Sequence, residues 1–252
     1  MKKMFPKMLE EPDSRALGGI PYWIFAFFLW PALLSLMILP TGHDHQYGPW
    51  MEIGYHVLNF IVVMIFFLPF LIESFQTLRW NIKVVLITAT YATVIIIALK
   101  LMAYLIAMRT PSESFYTAAT GSLLTNESDI MYYSSALVAF QPLWGSLTLI
   151  LLAPFTVSCL LYVCVFASVC GKRPVLAYIL IVLLPLLIRL SVAFCLWPLE
   201  EELMIYILQV PIHLVACWAY QKTDTVWTPI IVHFFSNLFF AAFYHAMGSI
   251  YG

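Results

Sequence analysis

The chain has 252 residues, 63% of them apolar and only 10% charged, with a net charge of −1 and a mean hydropathy of +0.92. A soluble domain carries roughly 25% charged and 45–50% apolar residues, so this chain cannot cover its surface with polar groups, and its solvent is largely lipid. The near-neutral balance gives no basic field that would draw in nucleic acid.

The expectation is an all-α polytopic transmembrane bundle, one integral membrane domain over residues 1–252. A polar N-terminal segment, 1–19, comes first and shows no cleavable signal, because the apolar run behind it is as long as a full span. A span needs roughly 20 mainly apolar residues. Such runs fall at about 20–40, 52–74, 84–108, 145–170, 174–197, 203–220 and 226–247, giving about seven spans. The sixth is short at this count and can begin within Glu200–Glu202, whose carboxylates suit a helix N-terminus.

Basic residues set the orientation. Lys2, Lys3, Lys7 and Arg15 precede the first span, Arg79 and Lys83 separate the second and third, Lys172 and Arg173 the fourth and fifth, and Lys222 the sixth and seventh. These alternate loops share one side, which the positive-inside rule makes cytoplasmic. The N-terminus is then inside and the C-terminus outside. The one long loop, 109–144, is external, and its Tyr- and Phe-containing end before Pro142 fits an eighth, interfacial helix. Short loops and basic inner turns match a bacterial plasma membrane.

Ionisable residues at membrane depth are costly and therefore mark candidate sites. Lys100 falls in the third span, Arg189 in the fifth, His213 in the sixth and His233 in the seventh, with Glu73 near the inner end of the second. The two histidines flank the turn at Lys222–Thr225 and lie at one depth, roughly 13–15 Å from the inner surface at helical rise. If their faces agree they can share a metal or pass a proton. His43, Asp44, His45, His56, His245 and Glu200–Glu202 offer further ligands on the outer side, and solvated loop positions are the expectation for them. The five cysteines, Cys159, Cys164, Cys170, Cys195 and Cys217, lie in apolar stretches with no zinc-site spacing and are expected as small buried hydrophobes.

The stretch 220–240, YQKTDTVWTPIIVHFFSNLFF, joins a polar turn to the last span. Thr225 or Thr228 can cap the helix, and Pro229 suits its first turn. His233 and Asn237, four apart, then share one face. This stretch resembles the last motif of the CAAX-protease and bacteriocin-processing family of intramembrane metalloproteases, in which a turn of the type T-G-S-L-W-A-P-I-L-x-H-x-x-x-N opens a late transmembrane helix. Thr223, Trp227, Pro229, His233 and Asn237 carry the match, and the family-like core covers about 145–247. The resemblance implies a multi-pass helical fold, a peptide or protein substrate and a catalytic zinc. The family's first motif, a paired glutamate followed by an arginine after Ala-Pro, reads Val157, Ser158 and Tyr162 here, after Leu152-Ala153-Pro154. The fifth span has no histidine for the middle motif. A hydrolytic metal needs about three protein ligands and a carboxylate to activate water.

The expected function is accordingly a non-catalytic factor on a protease-like scaffold, of regulatory or immunity type, that binds a membrane or envelope protein or a peptide. Its pocket would draw on Ser158, Tyr162, Arg189, His213 and Lys100 beside His233 and Asn237. The alternatives are an active metalloprotease with His213, His233 and Glu73 as substitute ligands, the one case requiring zinc, and a transporter or membrane-complex subunit with Lys100, Arg189 and the histidines as a polar path.

Overall fold

A computed structural model of the chain describes Pro21 and residues 44–109, 148–196 and 199–251, and beyond Pro21 those residues form six helical segments with no strand among them. They are α1 (Asp44–Trp80), α2 (Ile82–Ala107), α3 (residues 148–170), α4 (Pro174–Leu196), α5 (Leu199–Thr223) and α6 (Trp227–Tyr251). These coincide with the last six apolar runs of the sequence. The run at 20–40 apart from Pro21, the segment 1–19 and the loop 110–144 lie outside the described residues. Three stretches, His56–Trp80, Ile82–Ala107 and Ile150–Cys170, are long and apolar enough to cross a bilayer. Pro174–Leu187 and Trp227–Phe243 are shorter apolar helices. The chain is an integral membrane protein.

The bundle is built around α3. Of its apolar stretch 67% is buried, against 28% for α1 and α2, so α3 is the central helix and the other two are peripheral. Phe166, Tyr162 and Val163 of α3 meet Val63, Phe67 and Leu71 of α1, Ala177 and Ile181 of α4, Cys217 and Tyr220 of α5, and Ile230 of α6. On α1 the buried positions are His56, Asn59, Val63, Phe67, Leu71, Ser74 and Leu78. That spacing of three and four is the inward stripe of a helix, while Ile61, Ile65, Leu68 and Ile72 face outward to lipid. On α2 small residues lead the inward stripe: Ala89 and Ala92, with Ile96, pack on Ile212 and Ala219 of α5 and Val232 of α6. Without a hydrophobic force between helices in lipid, such small residues gain their packing by letting backbones approach closely.

α3 departs from ideal geometry. Thr148–Leu152 and Ser158–Ala167 are wound as π-helix around an α-turn at Ala153–Val157, with Ser168–Cys170 as a closing α-turn. Pro154 lacks an amide hydrogen and its ring crowds the carbonyl one turn back. The wider turn that precedes it relieves this crowding.

The α1–α2, α3–α4 and α5–α6 turns lie together at one end of the bundle. Ser74 Oγ of α1 bonds Thr225 Oγ1 in the α5–α6 turn at 2.9 Å, and Tyr178 of α4 donates to Gln221 Oε1 of α5 at 2.8 Å. Phe166, near the end of α3, packs on both Tyr178 and Tyr220.

Candidate functional site

The α5–α6 turn sets the register of α6. Asp224 has φ 55°, in the left-handed region that a side chain enters at some cost. Its amide donates to the Tyr220 carbonyl at 2.9 Å and closes α5. Thr225, rather than Thr228, takes the capping role, since the Trp227 amide donates to its Oγ1 at 3.4 Å. Thr228 Oγ1 instead pairs with Thr223 Oγ1 at 2.6 Å. The turn is tied to α1 as well: Thr225 Oγ1 donates to the Ser74 carbonyl, the Val226 amide to Ser74 Oγ, and the Trp227 indole to the Leu71 carbonyl. Trp227 is wedged edge-on between Phe75 and Phe155. With its start pinned this way, α6 turns Val232, His233, Ser236 and Asn237 into the bundle, and His233 is only 4% exposed.

His233 meets Tyr162 of the central helix. Tyr162 Oη lies 3.4 Å from His233 Nε2, with ring centroids 5.7 Å apart and the planes tilted by 54°. The distance is at the long end for a hydrogen bond, and both groups are buried, so the contact has no competing solvent. Ser158, one turn earlier on α3, is fully buried, and its Oγ has no hydrogen-bond partner among the described residues. Of the predicted site residues, Ser158 and Tyr162 are buried on α3 and His233 and Asn237 on α6, and Tyr162 touches His233.

The remaining candidates lie on other helices. Lys100 is buried on α2 with Nζ 5.0 Å above the centroid of the Phe240 ring, a cation–π contact one turn beyond Asn237 on α6. His213 is fully buried on α5. Glu73 is exposed on α1. Arg189 lies on α4, with its side chain outside what is described, as are the side chains of Asp44, His45, His245 and Glu200–Glu202; His43 lies outside the described residues. His56 overturns the loop expectation. It is in α1, 1% exposed, because it falls inside the apolar run 52–74 and on the inward stripe with Asn59 and Val63. Among the described residues no three His, Cys, Asp or Glu side chains gather in a way that could hold a metal ion, so His213, His233 and Glu73 do not form a ligand set.

No protein-family model matches the chain, and no curated protein or solved structure matches it. Several buried polar side chains were not singled out by the sequence: Asn59 and Ser74 on α1, Gln209 on α5 and Ser236 on α6. Asn59 and Ser74 fall on the inward stripe of α1, so helical periodicity carried the signal for them. Cys159, Cys164, Cys170 and Cys217 are buried thiols that form no disulfide among the described residues.

Proposed function

We propose that the chain is a seven-span protein of a bacterial plasma membrane, with its N-terminus inside and its C-terminus outside. It is built on a CAAX-protease-like scaffold, and its central site binds rather than cuts. Its role is that of a regulatory or immunity-type factor holding a membrane or envelope protein or a peptide. The observation that carries this is the Tyr162–His233 contact: the position where the resemblance expects an arginine holds a phenol, and that phenol engages the motif histidine. The scaffold reading draws support from the α5–α6 turn. Asp224 adopts a positive φ at the place where the quoted motif has glycine, the residue that takes this conformation most freely.

Elemental analysis of the purified chain tests it. The expected result is zinc well below one equivalent, unchanged by His233→Ala. Stoichiometric zinc that disappears in His233→Ala would overturn the non-catalytic reading and restore the metalloprotease. A transport reading has its own observation, the buried Lys100 beneath Phe240. Proton- or ion-coupled uptake into liposomes that is lost in Lys100→Met would favour it.

A further inference from the structure

We infer that the end of the bundle carrying the three helix turns is a docking surface for anionic phospholipid, with headgroups on its cations and acyl chains on the helix faces beside them. This rests on the chain being an integral membrane protein and is independent of whether its centre binds a peptide.

The cations are brought together by folding. Arg79 lies in the last turn of α1 and Lys83 in the first turn of α2, Lys172 and Arg173 form the α3–α4 turn, and Lys222 lies in the last turn of α5. All five are exposed. The hydrogen bonds Ser74–Thr225 and Tyr178–Gln221 hold these turns at one end, so residues far apart in sequence share one face of the molecule. Glu73, further down α1, and the half-buried Asp224 are the carboxylates on this side among the described residues. The opposite end has Arg109 after α2 and the acidic run Glu200–Glu202 at the start of α5.

Three features select a lipid over a free anion. First, apolar faces begin directly behind the cations. Val175, Leu176 and Ile179 are exposed on α4 immediately after Arg173, and Ile82, Val84, Leu86 and Ile87 are exposed around Lys83 on α2. A headgroup on the turn therefore has a surface for its own chains beneath it. Second, two tryptophans mark headgroup depth, where indole rings prefer to sit: Trp80 at the end of α1 is 88% exposed, and Trp218 is partly exposed on α5. Third, Lys222 Nζ is held 5.1 Å above the Trp218 ring centroid, which fixes one ammonium at that depth.

Each cation near an anionic surface strengthens attraction about fivefold. The full chain is reconstituted in vesicles of equal phosphatidylcholine and phosphatidylglycerol, extracted gently, and the retained lipid counted by native mass spectrometry. The expected result is a several-fold excess of phosphatidylglycerol that falls with added salt. The triple variant Lys172→Gln, Arg173→Gln, Lys222→Gln should reduce it by up to about fivefold per cation. Equal retention of the two lipids by the unaltered chain overturns the proposal even if the variant does not fold, and so does an excess unchanged in a folded variant. Millimolar inorganic phosphate should leave the excess intact. Its displacement by phosphate would show a soluble-anion site and overturn the lipid assignment.

Discussion

Tyr162 Oη and His233 Nε2 are the two polar atoms on which the reading of the centre depends, and their separation of 3.4 Å gives a modest bond. Removing the hydroxyl alone, in Tyr162→Phe, keeps the ring among Val163, Phe166 and the facing helices. The expected cost is about 1–2 kcal/mol, the low end of the range for taking one partner from a buried polar group, because the bond is long. Tyr162→Ala also empties a fully buried volume and should cost about 3–5 kcal/mol. Thermal unfolding in detergent measures both. Equal destabilisation by the two variants would mean that the hydroxyl, and not the ring, governs the site. At this scale the four-residue spacing put His233 and Asn237 on one face, which is buried on α6, while Tyr162 was singled out only by the resemblance, as the position of the motif's arginine. The sequence could not reveal that the phenol would meet the imidazole, because that contact depends on how α3 lies against α6. His56 was obscured for another reason: it stands just inside the start of an apolar run, where helix and loop look alike.

The turn between α5 and α6 is the element whose construction is most specific. Ser74 Oγ both pairs with Thr225 Oγ1 and accepts the Val226 amide, so one hydroxyl on α1 satisfies two groups of a turn distant in sequence. Ser74→Ala leaves these groups buried without that partner and should cost about 1–3 kcal/mol, whereas alanine at the exposed Glu73 next to it should change little. At Asp224, with φ 55°, glycine removes a steric cost, so Asp224→Gly should be neutral or stabilising by up to about 1 kcal/mol, and the β-branched Asp224→Val destabilising. Denaturation midpoints that rank valine at or above glycine would show that the aspartate side chain, not the backbone, sets this turn. Helix positions were readable from apolar run length, including the start of α5 at Leu199 beside the glutamates. The π-winding of α3 was not, since Pro154 announces a disturbance but not the form it takes.

For the whole molecule, the sequence-level asymmetry of charge and the spatial grouping of turns bear on one question, the side of the membrane on which each end lies. The three turns share one end, so α6, which starts there at Trp227 and runs to Tyr251, finishes at the other. If the positive-inside rule places the basic end in the cytoplasm, the C-terminus must be outside, and this holds however the run at 20–40 is arranged. A reporter that is active only after export should therefore be silent when fused after Lys172 or Asp224 and active when fused after Tyr251. A reporter that fluoresces only in the cytoplasm should give the opposite pattern. The N-terminus is a separate question, because it reaches the inside only if the run at 20–40 crosses as well. A tag ahead of Met1 should be reached by antibody only after the membrane is permeabilised. An exposed tag together with an external C-terminus would mean six crossings rather than seven, leaving the bundle intact while removing the first span. Export of the reporter at Asp224 would do more damage, because it would put the five cations outside and remove the basis for both the orientation and the lipid surface.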